Sequence, residues 1–269
     1  MGKDNKDRPI GVFDSGIGGL TVFKALGRRM PQESLVYFGD TAHIPYGSKS
    51  REAVTRYSLE VARFLAARDI KALVVACNTS SALALAEVQA ALRVPVLGVI
   101  QPGAKAAAEA SRNGRVGVIG TEATVASGAY AQALKKCGPS LRVFSTACPL
   151  FVPLVEEGWW GHPVTAQVAR HYLASLKRSR IDVLVLGCTH YPLLKGVLQR
   201  EMGTSVKLID SAEQTALETE ELLSRLKLRR RSGPGKREFF VSDAPGRFLK
   251  LSKRLLGVAA GKVSLHSFD

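Results

Sequence analysis

The sequence predicts an α/β protein of two pseudo-symmetric domains, each a mostly parallel sheet flanked by helices, with an active site in the cleft between them. Three observations point there. Short apolar runs alternate with helical patterns along most of the chain, the signature of buried parallel strands joined by helical crossovers. Two of those runs end alike, in Val74-Val75-Ala76-Cys77-Asn78-Thr79-Ser80 and in Val185-Leu186-Gly187-Cys188-Thr189-His190. The plan also restarts: Gly117-Val118-Ile119-Gly120-Thr121 resembles Gly11-Val12-Phe13-Asp14-Ser15, and the run at Leu141 matches the run at Leu35 at the same offset. Such a repeat of one supersecondary plan supports two similar halves. The expected division is residues 1–98 plus 208–269 for one domain and 99–207 for the other.

The elements follow in order. Residues 9–13 read as a strand, Asp14-Ser15-Gly16-Ile17-Gly18-Gly19 as a tight turn, and 21–30 as a helix. A glycine-rich turn there exposes backbone N–H groups to an anion. Asp14 at its mouth would repel phosphate and suits an ammonium group. Residues 35–38 form the second strand, which opens into a polar loop at 39–47, the kind of loop that carries function. A helix over 50–67 has Ser50 as its N-cap and Glu52 in its first turn. The third strand, 71–76, ends at Cys77; a helix over 80–92 follows, with Asn78 and Thr79 as capping residues, then a strand at 95–99.

The second round runs helix 103–111, strand 115–119, helix 124–136, strand 141–145, helix 165–178 and strand 181–186, ending at Cys188. Helix 192–202 has proline in its first turn, where a missing N–H does no harm. Strand 206–209 and helix 212–226 precede a basic linker, 228–237. Strand 238–242, helix 245–256 and strand 262–265 are expected to return to the first domain.

Composition narrows the classes. A chain of 269 residues, 46% hydrophobic and 23% charged, is an ordinary globular balance. Four cysteines without metal-ligand spacing imply free thiols in a reducing compartment. The charged opening, 1–8, has no apolar signal region, and no apolar run nears the roughly 18 residues of a membrane span. A cytoplasmic protein without a membrane partner is expected. The net charge of +15, with Arg229, Arg230, Arg231, Lys236 and Arg237 in the linker, admits nucleic acid as a partner. No helix-turn-helix, zinc-finger or RNP pattern accompanies it, so a solvated linker is the favoured reading.

Ligands of open α/β sheets sit beyond the carboxyl ends of the strands. Cys77 and Cys188 therefore propose two thiols facing one crevice, each before a helix N-terminus, where thiolates are favoured. Disulfide exchange normally uses near neighbours such as C-x-x-C. Proton transfer on opposite faces of a planar carbanion suits thiols from two matched halves. Each needs a helper to hold its charge state: His190 lies two residues beyond Cys188, Asp14 can serve Cys77, and Glu156 or Glu157 can face the cleft. Asp40 is expected to shape its loop, Cys137 to be incidental and Cys148 structural. No strand-end lysine offers a Schiff base.

Five motifs carry a resemblance. They are Phe13-Asp14-Ser15-Gly16-x-Gly18-Gly19, Gly39-Asp40-x-x-x-x-Pro45-Tyr46-Gly47, Ala76-Cys77-Asn78-Thr79, Cys148-Pro149-Leu150-x-x-Pro153-Leu154-Val155-Glu156 and Gly187-Cys188-Thr189-His190-Tyr191-Pro192. In this order they resemble the glutamate racemases, over residues 9–226. The resemblance implies cofactor-independent interconversion of L- and D-glutamate for peptidoglycan synthesis, with no metal and a homodimer as the assembly. It implies that Cys77 deprotonates the D-isomer and Cys188 the L-isomer, assisted by Asp14, Glu156 and His190. It implies that Asp14, Ser15, Tyr46, Gly47, Asn78, Thr79, Thr121, Thr189 and His190 hold the substrate. A neighbouring reading keeps the architecture and changes the substrate to aspartate or a hydantoin. The last forty or so residues match loosely and are expected to carry none of the chemistry.

Overall fold

The computed structural model describes residues 5–257 and 262–268. Its strands, in chain order, are β1 (Ile10–Asp14), β2 (Leu35–Gly39), β3 (Ala72–Val75), β4 (Val96–Gly98), β5 (Arg115–Gly120), β6 (Arg142–Ala147), β7 (Val183–Gly187), β8 (Lys207–Asp210), β9 (Arg237–Val241) and β10 (Val263–Leu265). They form two sheets, ordered β10-β9-β2-β1-β3-β4 and β6-β5-β7-β8. Every pairing is parallel. The order β2-β1-β3-β4 is repeated by β6-β5-β7-β8, so β5 answers β1 and β7 answers β3. The repeat read in the sequence is thus a repeat of topology.

That order places the site. After β1 the chain crosses to β2 on one side and then to β3 on the other, which opens a crevice at the strand ends between β1 and β3. Asp14, closing β1, and Cys77, just beyond β3, flank it. In the second sheet Thr121 follows β5 and Cys188 follows β7. All residues of β1, β2, β3 and β7 are buried, which explains their apolar character up to Asp14 at the end of β1. One face of the first sheet packs Val12, Leu26, Tyr37, Phe239 and Phe248 together; the second half centres on Phe151, Leu173, Leu186 and Tyr191.

Three expected helices are interrupted. Residues 80–92 divide into Asn78–Leu83 and Leu85–Ala91 at Ala84, where φ is −130° and ψ 0°. The Leu83 carbonyl accepts from Arg51 Nη1 at 2.6 Å, so it is satisfied from outside the helix. The N-cap is Cys77 itself, not Asn78 or Thr79, which fall inside the first turn. Residues 124–136 divide into Glu122–Ala126 and Ala129–Cys137 around Gly128, a left-handed residue at φ +68°. The segment after Cys188 begins as a 3-10 turn, Tyr191–Leu194, and becomes α-helical only over Lys195–Met202.

The tail returns as expected: β9 pairs with β2, and β10 with β9. The expected boundary at 207/208 falls inside β8, which hydrogen-bonds to β7 in the second sheet. The following helix, Ser211–Arg225, packs on Leu20–Arg29 of the first half and on Ile100–Ala110. The linker is pinned rather than free. Arg229 pairs with Glu220 at 2.7 Å, Arg230 with Asp7 at 3.3 Å, and the Arg230 N–H donates to Glu33 at 2.8 Å. Glu33 also forms a buried ion pair with Lys71, whose ammonium donates to the Leu228 carbonyl at 2.9 Å.

Candidate active site

Both cysteines lie where a strand stops hydrogen-bonding and the chain turns towards a helix. They open into one cavity of about 230 Å³ between the two sheets. Its wall includes Ser15, Tyr46, Gly47, Cys77, Asn78 and Thr79 from the first half and Thr121, Glu156, Cys188, Thr189 and His190 from the second. The thiols are nearly closed off, Cys77 at 4% and Cys188 at 7% exposure.

The environments of the two sulfurs differ. Cys77 caps the helix Asn78–Leu83: its Sγ accepts from the Ser80 N–H at 3.5 Å, and its thiol donates to Ser15 Oγ at 3.4 Å. Burial and the nearby carboxylate of Asp14 push this thiol up to about 11, so it is a protonated acid at neutral pH. Cys188 faces Nδ1 of His190 at 3.9 Å. His190 Nε2 faces Glu156 Oε1 at 3.3 Å, an ion-pair distance without hydrogen-bond alignment. Burial alone would lower the imidazole, but Cys188 and Glu156 outweigh it and raise His190 to about 10. Burial would raise Glu156, but His190 and Arg247 hold it below the usual carboxylate range. The second side is thus an ionised carboxylate, an imidazolium and a sulfur in line.

Asp14 is the one expected residue outside the wall. It is fully buried beneath it. Its carboxylate accepts from the Gly16 N–H at 3.0 Å and from Thr189 Oγ1 at 3.3 Å. Desolvation raises its carboxyl, opposed by His190 and by hydrogen bonds from Gly19, Gly16 and Thr189. Asp14 is therefore coupled to both halves. Tyr46 lines the cavity, yet its hydroxyl donates to Asp40 at 2.5 Å. Asp40 also accepts from Ser242 at 2.6 Å and meets His43 at 2.9 Å, and so organises its loop as expected. Of the adjacent glutamates, Glu156 lines the cavity; Glu157 does not. Cys148 is buried against the second core, with burial raising its thiol, and Cys137 is exposed at a helix end.

The structure adds residues that sequence reasoning passed over. Thr124, in a helical pattern, joins Thr79 and Thr121 in a hydroxyl cluster across the cleft, at 2.9 to 3.3 Å. The Tyr130 hydroxyl donates to Asn78 Oδ1 at 2.7 Å, which turns the buried amide Nδ2 away with no protein partner. A buried donor left unpaired is costly, and this one belongs to a wall residue. Ile44, Pro45, Pro149, Val152 and Pro153 supply the apolar side. Pro45, Pro149 and Pro153 stand in the motifs that carry the resemblance, whereas only hydrophobic character marked Ile44 and Val152 in the sequence.

Comparison with known proteins agrees with this geometry. The family model described as Asp/Glu/Hydantoin racemase matches residues 20–219. A glutamate racemase of Geobacter metallireducens is 55% identical over 257 residues, covering 95% of each chain. The crystal structure of a glutamate racemase isoform from Bacillus anthracis superposes with a TM-score of 0.93 at 40% identity, covering 98% of both chains. That of the Francisella tularensis glutamate racemase in complex with D-glutamate has a TM-score of 0.91 at 39% identity, with 98% of both chains covered.

Proposed function

The chain belongs to the Asp/Glu/Hydantoin racemase family, and from that premise we propose that it interconverts L- and D-glutamate, with Cys77 and Cys188 as its two acid–base groups. The observation that carries the reading is the pair of unlike thiols at equivalent strand ends of two sheets, opening into one cavity. Racemisation needs a base on one face of the α-carbon and an acid on the other at the same moment. Cys77, held as a thiol, is the acid for L-glutamate. Cys188 acts as thiolate base, met by a charge-assisted hydrogen bond from His190.

In that direction the Cys188 thiolate takes the α-proton and leaves its electron pair on a planar carbanion conjugated with the α-carboxylate. The Cys77 S–H then gives its proton to the opposite face. The product is D-glutamate, with Cys188 now the thiol and Cys77 the thiolate; the reverse reaction exchanges the roles. The carbanion carries its charge on the carboxylate oxygens, and fixed donors aimed there supply most of the stabilisation. Ser15, Asn78, Thr79, Thr121 and Thr189 are the donors we assign, and Asn78 Nδ2 is already free for one. Asp14 acts from beneath, through Thr189 and the field at Cys77.

The scheme uses only side chains of this protein and calls on no cofactor. We place its product in peptidoglycan synthesis and the enzyme, as a homodimer, in the cytoplasm. We also propose two domains, divided after β8 rather than within it. The pairing of linker arginines with Glu220 and Asp7 weighs against nucleic acid as a partner. Glutamate is preferred to aspartate because the full-length relatives at about half identity are glutamate racemases.

The deciding experiment incubates the purified protein with L-glutamate in heavy water, without cofactor. Deuterium should enter the α-position as the D-isomer appears; a folded preparation that retains the α-hydrogen overturns the proposal. Equal or faster exchange on aspartate would move the substrate assignment to the neighbouring reading.

A further inference from the structure

The C-terminal helix, Pro245–Leu256, belongs to the first half: Phe248 is buried in its core, and Tyr37 and Phe239 lie around it. Its outer face reaches across to the second half. Arg247 Nη2 stands 3.5 Å from Glu156 Oε2. Arg254 Nη2 donates to the Gly158 carbonyl at 3.2 Å, and its guanidinium lies 4.9 Å from the centre of the Trp160 ring. Gly158 has φ +76°, and a Cβ there would collide with the Arg254 guanidinium. Two arginines of one helix thus hold the short segment that carries Glu156.

Glu156 uses one carboxylate oxygen for His190 and the other for Arg247. His190 in turn faces Cys188. The line Arg247, Glu156, His190, Cys188 runs from the tail of the chain to one reacting sulfur, and Cys77 has no counterpart to it among the described residues. We infer that Arg247 is a positioning residue for the Cys188 side of the reaction, setting the charge and orientation of Glu156, while Arg254 fixes the backbone beneath it. The inference rests on the racemase reading and runs against the expectation that the tail carries none of the chemistry.

The charged groups facing the Glu156 carboxylate are His190 and Arg247, and Arg247 contributes to holding it ionised. A depressed carboxylate loses its charge as pH falls through its pKa. Removing Arg247 raises that pKa, so the acidic limb of the rate profile moves to higher pH. Arg247 is 59% exposed, and a pair so open to solvent gives an effect of roughly two- to fivefold.

The test compares wild type, Arg247→Ala, Arg247→Lys and Arg254→Ala by the pH dependence of kcat/KM for glutamate racemisation, with thermal melts beside it. Support is an acidic limb moved upward in Arg247→Ala, returned by Arg247→Lys and unmoved in Arg254→Ala, all with unchanged melting. An unmoved limb in Arg247→Ala, or an equal displacement in Arg254→Ala, overturns the assignment. A wild-type enzyme that fails to racemise glutamate in the same assay defeats the functional reading instead.

Discussion

A Cβ placed on Gly18 would lie 2.6 Å from Nδ1 of His190 and would collide with Thr189 Oγ1. Gly18 belongs to the turn after β1 and His190 to the turn after β7, so the two halves touch at the nitrogen that faces Cys188. Gly47 and Thr121 form a second contact of this kind, with a Cβ on Gly47 only 2.6 Å from Thr121 Cβ. Both glycines serve close approach across the cleft rather than an unusual backbone angle.

Gly18→Ala should therefore act on chemistry before stability. The added methyl must push the Thr189–His190 turn outward, and a displacement near 1 Å costs about a hundredfold in rate. Overpacking costs about 1–3 kcal/mol, which leaves most of the protein folded. Steady-state racemisation with a parallel melt checks both; full activity would mean that the halves move apart freely at this point.

Each thiol should be indispensable alone. Cys77→Ala and Cys188→Ala remove the acid or base from one face, and a positioned proton donor is worth about 10²–10⁴-fold. Either variant should lose racemisation by at least that factor while melting close to wild type. Undiminished turnover in one of them would show that a single base serves both faces.

Much of this was legible before the structure, because it depends on local pattern. Buried parallel strands are apolar throughout, and Cys77 and Cys188 stand out because apolar runs stop at them. What was not legible depends on contacts between distant elements. Nothing around Arg247 marks it as near Glu156, 91 residues away. Tyr130 and Thr124 sit in ordinary helical patterns, and their hydroxyls reach Asn78 and Thr79 only when the second sheet closes on the first. The break at Ala84 has no glycine or proline to announce it; the Arg51 side chain supplies the missing hydrogen bond.

The alkaline limb of activity should report His190. Its pKa is raised in the folded state to about 10, so the contribution of the imidazolium is complete below the ordinary histidine value and is lost as pH rises through about 10. Cys77 stays a thiol until about 11, so the histidine is expected to fail first. The pH profile of kcat/KM should fall near pH 10. In His190→Asn most activity should go, and the residue of it should lack that limb. The same limb in the variant would assign it to another group.

Tyr130 offers a test of substrate binding that leaves the reacting atoms alone. Its hydroxyl holds Asn78 Oδ1 and so fixes the amide of this wall residue with Nδ2 a buried donor that has no protein partner. Tyr130→Phe keeps the ring in its packing place and removes the hydroxyl, which anchors the amide and also meets Ser211. The amide is then free to rotate and present its oxygen, an acceptor, to a carboxylate. A hydrogen bond of this kind is worth about 0.5–1.5 kcal/mol, which predicts a rise in KM of roughly two- to tenfold with kcat changed less. Asn78→Ala should raise KM further, and the double variant should add little to Asn78→Ala alone, because Tyr130 acts through the amide. Independent, additive effects in the double variant would show that Tyr130 contributes by packing instead.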